Sequence, residues 1–179
     1  MKHVVILSGP SGSGKSTWVK NLYRVDPGTG QFAWVEKYGI DPPHVVSADN
    51  YFIDRHGNYN FDPKQLPKAH GECLRKFVEC VSTGKSFVVV DNTNCSIAEV
   101  APYMALSNAY EYAVEVITML PRGGWLDYQS YADRNLHGVP ASGIQRQASN
   151  FTKMAAEWPV FWPKIEYVGV NSYEATLVG

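Results

Sequence analysis

The chain has 179 residues, 45% of them apolar and 18% charged, with a formal net charge of −1. That length and balance suit one α/β domain with a proper core. They exclude a large basic surface, so any nucleic-acid contact must be local and short. Three cysteines without metal-ligand spacing frame no disulfide scaffold, which fits a reducing compartment. Cys73 and Cys80 lie seven apart on one expected helix face and read as core thiols, whereas Cys95 falls in an expected loop and is read as exposed. The sequence enters a core strand by residue 4 and has no apolar run of membrane-spanning length. A cytoplasmic protein with no membrane partner is expected. Nothing in the pattern fixes an oligomeric state.

In chain order, Val4–Leu7 predicts a first strand. Residues 9–16, Gly9-Pro10-Ser11-Gly12-Ser13-Gly14-Lys15-Ser16, form a complete G-x-x-x-x-G-K-S pattern, and a helix is expected over Lys15–Tyr23. Strand, glycine loop and helix in that order make a phosphate cradle. Glycines let the backbone N–H groups turn inward, and the helix N-terminus adds partial positive charge. Lys15 reaches the β- and γ-phosphates of a nucleotide, and the Ser16 hydroxyl holds Mg²⁺. Thr17 completes the expected nucleotide-binding set. ATP and Mg²⁺ are therefore the expected ligands.

Residues 26–43 are rich in Gly and Pro and read as an irregular flap or small insertion. A short strand follows at His44–Ser47, then a helix over 65–83 with Leu66, Ala69, Cys73, Phe77, Cys80 and Val81 on one face. Gly84-Lys85-Ser86 repeats part of the loop pattern but follows a helix, so it reads as a helix stop and strand entry. Phe87–Val90 is a continuous β-branched run ending in Asp91, as in a strand buried on both faces. A helix over 96–109, a strand over Ala113–Met119, helices over Trp125–Leu136 and Ala141–Trp158 and a strand over Ile165–Val170 complete the chain. This alternation predicts a three-layer α/β/α sandwich with a mostly parallel sheet, a helical lid near 125–147 and a single domain over 1–179. Ligands of such sheets lie at the carboxyl ends of the strands, where Ser8, Asp49, Asp91 and Pro121 fall.

Each candidate has a functional and an ordinary reading. Asp91 suits the Mg²⁺ shell, or it caps a turn. Asn92-Thr93-Asn94 orients Asp91, touches substrate, or merely forms Asx turns. Asp49 suits a general base for an attacking hydroxyl, or it caps the residues that follow. Arg134 suits a clamp on the transferring phosphoryl group, or it answers the helix dipole; Arg146 is an alternative clamp. His137 reads as a loop histidine. Arg55, His56, Lys64, Lys68 and His70 interleave with Tyr51, Phe52, Tyr59 and Phe61, which suits a short single strand as well as it suits ordinary surface.

As a set, the motifs resemble the 5′-hydroxyl polynucleotide kinase branch of P-loop kinases, within the zeta-toxin and AAA_33-like group, in its bacteriophage-type form and, through the extended patterns, in a subgroup found in eukaryotes and phages. The resemblance rests on GPSGSGKSTW, on SADNYF with GNYNFDP, on Asp91-Asn92-Thr93-Asn94 and on ADRNLHGVP, and spans roughly residues 3–150. It implies Asp49 as general base, Lys15 and Ser16 on phosphate and Mg²⁺, and Arg134 as lid cation. The implied acceptor is the 5′-OH of a short single-stranded DNA or RNA end. A second lid Arg of the family pattern is replaced here by His137-Gly138, and an Arg near the general base by Phe52. A hydroxymethylated base, a nucleoside or another small alcohol is the alternative acceptor. A nucleotide-binding regulator without transfer activity is the alternative of a different class.

Overall fold

A computed structural model describes residues 1–39, 41–120, 127–135 and 137–168. Five strands form one sheet: β1 (His3–Ser8), β2 (His44–Val46), β3 (Phe87–Asp91), β4 (Ala113–Thr118) and β5 (Ile165–Tyr167). Their spatial order is β2-β3-β1-β4-β5, and every pairing is parallel. The helices are α1 (Lys15–Leu22), α2 (Val35–Tyr38), α3 (Leu66–Ser82), α4 (Ile97–Ala109), α5 (Tyr128–Arg134) and α6 (Ala141–Ala156).

Strand side chains alternate between two cores, which is why the central strands read as unbroken apolar runs. Val4, Ile6, Val88 and Val90 pack with Phe77 of α3, Met104 of α4 and Ile144 of α6. Val5, Leu7, Phe87 and Val89 pack with Trp18 and Leu22 of α1, and with Trp34 and Tyr38. Residues 26–43 therefore hold more than a flap. Two of their aromatics are packed on the sheet, Trp34 and Tyr38, only 4% and 6% exposed. The Tyr38 ring stacks on Phe87 at 4.2 Å, and Lys37 Nζ lies 2.6 Å from Glu115 Oε2. A Gly- and Pro-rich sequence concealed this because only two large aromatics, one helical turn apart, supply the burial.

The expected elements are found with ends shifted by a few residues. Expected positions Pro121, Trp125, Leu126, Leu136 and 169–170 lie outside the described residues. The partial motif at Gly84 is a helix stop: Gly84 has φ 74°, and Lys85 N–H donates to the Cys80 carbonyl at 3.0 Å. Cys95 is buried, which corrects its expected exposure. Burial pushes its thiol pKa up to about 12.

The register sets the site. Leu7 pairs with Asp91, Val46 with Val90 and Ser8 with Thr118. The loops after β1, β2 and β3 thus leave one end of the sheet side by side. The chain crosses from one side of β1 to the other between β3 and β4, so the crevice over β1 and β3 is the expected ligand position.

Candidate active site

The phosphate-type loop joins β1 to α1 and is fixed from behind. Gly9 N–H donates to the Thr93 carbonyl at 2.8 Å, and Ser8 Oγ donates to the Asn94 carbonyl at 2.7 Å. Asn94 Nδ2 donates to the Leu7 carbonyl at 2.8 Å. Asn92 is buried, accepts from Ala48 N–H at 2.8 Å, and so ties the end of β3 to the turn that carries Asp49. Asn92 and Asn94 are thus struts between strand ends rather than orienters of Asp91.

Three glycines take positive φ: Gly9 at 138°, Gly12 at 77° and Gly14 at 105°. Gly14 is the N-cap of α1 and has no side chain to cap it, so the first-turn amides of α1 remain open donors. Gly12 serves a close approach: a Cβ there would stand 2.1 Å from the Tyr131 carbonyl oxygen of α5. Ser13 Oγ is buried with no hydrogen-bond partner among the described residues. Ser11 N–H donates to Gln147 Oε1 of α6 at 2.8 Å.

A cavity of about 270 Å³ opens over this loop. Ser11 to Thr17 line it, with Asp49, Asp91, Asn92, Thr93, Arg134 and His137. Gly9 and Pro10 instead lie behind it, and their carbonyls each accept from Lys15 Nζ at 2.9 Å. Lys15 is buried, and that desolvation lowers its pKa against the pull of Asp91. Ser16 Oγ lies 3.3 Å from Asp91 Oδ2. Burial holds the Asp91 carboxyl above the usual range, and the Lys15 ammonium and Ser16 hydroxyl draw it part of the way back.

Asp49 lies on the short 3-10 turn Ala48–Phe52. Ser47, not Asp49, is the N-cap of that turn, accepting from Asp49 N–H at 3.3 Å. This disposes of the capping role. The Asp49 carboxylate instead faces two groups: Tyr59 OH donates to Oδ1 at 3.1 Å, and His137 Nε2 lies 3.3 Å from Oδ2. Burial and the Asp49 charge both raise the Tyr59 pKa, so the phenol stays a donor. The His137 ring tilts against Tyr59 at 4.6 Å.

Arg134 ends α5 and is exposed at the cavity rim, its Nε donating to the Ser130 carbonyl at 3.2 Å and its guanidinium 4.7 Å from the Tyr131 ring centre. Arg146 is exposed on α6 and does not line the cavity; the α6 residue that meets the loop is its neighbour Gln147. Sequence reasoning does not single out Gln147 or His137 as site residues, and it names Tyr59 only among the aromatics that suit a short single strand. Tyr59 and His137 stand inside the quoted patterns GNYNFDP and ADRNLHGVP, which was the available signal. Gln147 carries none.

The donor set fits a nucleotide phosphate chain with Mg²⁺. Open first-turn amides, the unpartnered Ser13 Oγ and the Lys15 ammonium suit phosphate oxygens. One hydroxyl and one carboxylate on hard oxygen suit Mg²⁺, which completes its shell with waters and phosphates and needs no protein cage.

A profile of the AAA domain family, AAA_33, matches residues 4–154. The chain belongs to this family of P-loop kinase domains. NEDD4-binding protein 2 of Homo sapiens is 30% identical over 154 residues, covering 86% of this chain and 8% of that protein. The chain thus spans a small part of that relative's length. Among solved structures, the Pnkp1/Rnl/Hen1 RNA repair complex gives a TM-score of 0.61 at 16% identity, over 88% of this chain and 46% of that one. Mycobacterium tuberculosis APS kinase CysC in complex with AMPPNP and APS gives 0.55 at 19% identity, over 99% and 95%. Chaetomium thermophilum Kti12 in complex with ADP-AlF3 gives 0.55 at 15%, over 97% and 93%. These likenesses establish a P-loop kinase fold. No helix among the described residues is long and apolar enough to cross a membrane.

Proposed function

We propose that this chain is an ATP- and Mg²⁺-dependent kinase that phosphorylates the 5′-OH of a short single-stranded DNA or RNA end. The observation that carries the reading is Asp49. Its carboxylate lines the same cavity as Lys15, Ser16, Asp91 and Arg134, and it caps nothing.

In this reading Lys15 and the open amides of α1 hold the β- and γ-phosphates, and Ser16 and Asp91 hold Mg²⁺. Bound there, Mg²⁺ would neutralise charge on the phosphate oxygens. Asp49 accepts the proton of the acceptor hydroxyl as its oxygen bonds to the γ-phosphorus. The bond from that phosphorus to the β–γ bridging oxygen breaks, leaving ADP and a phosphate monoester. Arg134, at the rim, moves in to meet the charge that develops on the transferring group. Support for ATP comes from the loop and from the fold shared with proteins crystallised with AMPPNP and ADP-AlF3. Support for a nucleic-acid end comes from the ordered motif set and from the exposed cations Arg55, Lys64 and Lys68 in the segment that follows Asp49.

The test is transfer of labelled phosphate from ATP to 5′-OH DNA and RNA oligonucleotides, to hydroxymethylated DNA and to nucleosides. Asp49→Asn is expected to bind ATP normally, to bind the oligonucleotide nearly as well, since one hydrogen bond is worth about 0.5–1.5 kcal/mol net, and to transfer nothing. Wild-type protein that binds ATP but labels only nucleosides or modified bases would replace the polynucleotide acceptor with those.

A further inference from the structure

We propose that Tyr59 and Phe61 form a stacking shelf for the terminal base of the acceptor strand, so that the site selects a nucleotide end over a small polar alcohol. This rests on the kinase reading above and specifies its acceptor side. The shelf begins at the general base itself, because the Tyr59 phenol is bonded to Asp49 Oδ1 at 3.1 Å. The rings of Tyr59 and Phe61 are parallel within 6°, their centres 6.3 Å apart. Phe52, buried beneath, sets its ring edgewise to both, at 6.0 Å from Tyr59 and 5.0 Å from Phe61. His137 packs on Tyr59 at the cavity end of the row. Two rings are thus held in fixed orientation by packing, leaving little side-chain freedom to lose when a flat ligand settles on them.

The outer end of the row is open: Phe61 is 45% exposed. A 5′-hydroxyl is separated from its own base by one ribose, and Asp49 is separated from the shelf by one phenol. A hydroxyl at the carboxylate therefore brings its base over these rings. The occupant follows from charge as well. Arg55 precedes the row in sequence and Lys64 and Lys68 follow it, all exposed, and Lys68 Nζ lies 5.7 Å from the ring centre of Tyr51, which packs edgewise on Phe52. These positive groups suit the phosphodiesters that follow a first nucleotide. With a net charge of −1 the chain has no broad field to hold a strand, so stacking must supply a large share of the affinity.

The experiment compares two 5′-OH oligonucleotides, one with a normal first nucleotide and one abasic at that position, in wild type and in Phe61→Leu. Leucine keeps the residue apolar and removes the ring face. Wild type is expected to favour the base-bearing acceptor by about tenfold or more in KM. Phe61→Leu is expected to lose most of that ratio while keeping its melting transition. A fluorescent adenine analogue at the first position should be quenched on binding to wild type without ATP, and less so on binding to the variant. Equal use of both acceptors by wild type, or an intact ratio in Phe61→Leu, overturns the shelf and leaves the kinase reading standing. Quenching without phosphorylation of any acceptor overturns the kinase reading instead. Neither quenching nor transfer overturns both.

Discussion

Both oxygens of Asp49 have partners, and the partners differ in kind. Tyr59 donates a phenolic hydrogen that its raised pKa keeps in place, whereas His137 supplies charge only when protonated. An acceptor hydroxyl can displace the imidazole from Oδ2 while Tyr59 still orients the carboxylate through Oδ1. Tyr59→Phe keeps the ring and removes that bond. It should lower kcat by about tenfold or more, because hydrogen bonds to charged groups are worth about 1.5–3 kcal/mol. The preference for a base-bearing acceptor should persist, since the ring remains. Steady-state kinetics with both acceptors separates the two roles, and an unaltered kcat would remove Tyr59 from the positioning of the base. Arg134 is a different case. Its side chain is exposed and touches only its own helix among the contacts described, so Arg134→Ala should leave the melting temperature nearly unchanged. A kcat loss of roughly 10²-fold or more is expected of a phosphoryl clamp. A stability defect with normal turnover would return Arg134 to a helix-end role.

At the scale of elements, α5 and α6 both touch the loop, through Gly12 and Gln147. These two helices are therefore in direct contact with the glycine loop. Gly12→Ala tests that contact. Its Cβ would meet backbone at 2.1 Å, and backbone cannot swing away as a side-chain tip does, while φ of 77° is strained for alanine. The variant should push α5 off the loop, lower kcat and raise KM for ATP, and lose stability by about 1–3 kcal/mol. Urea denaturation and ATP titration measure both effects; wild-type behaviour in both would mean that α5 does not need this approach. The glycine was legible as part of a phosphate loop, but its contact with α5 was not, because close approach depends on where a distant helix lies. The same division runs through the chain. The strands at 4–7 and 87–90 and the face of α3 were legible, since burial on both sides or on one stripe leaves a periodic mark. Trp34 and Tyr38 left too little, because a single pair one helical turn apart is too short a run to show a period. Asp49 and Asp91 were legible from their places after strands. The partners Tyr59 and His137 reach Asp49 from segments 10 and 88 positions away, and only tertiary structure brings them together.

For the whole molecule, the site works against the stability of the ligand-free fold. Asp91 shows the sign of the conflict. Its folded-state pKa is raised even with the attraction of Lys15 included, because burial outweighs that attraction. Below the ordinary carboxylate range the group is protonated in both folded and unfolded chains and contributes no penalty. As pH rises through that range the unfolded chain ionises first, so folding loses stability until the raised folded value is passed, after which the loss is constant. Asp91→Asn removes the ionisation and keeps a polar side chain of similar shape. The ligand-free variant should therefore melt above wild type at pH 7, by about 2–4 °C for each kcal/mol recovered, and the gap should close as pH falls below about 4. Adding ATP and Mg²⁺ should reverse the order. Ligand binding stabilises the folded state by mass action, and an amide is a poorer partner for a hard cation than a carboxylate. Wild type should gain more in melting temperature, and the variant should need more Mg²⁺ for half-maximal activity. Calorimetry of both proteins across pH 3–8, with and without ATP and Mg²⁺, tests the whole cycle. A ligand-free variant that melts below wild type at neutral pH would show that Asp91 holds the loop together as an ion pair with Lys15. An unchanged Mg²⁺ requirement would show separately that its carboxylate does not serve the metal.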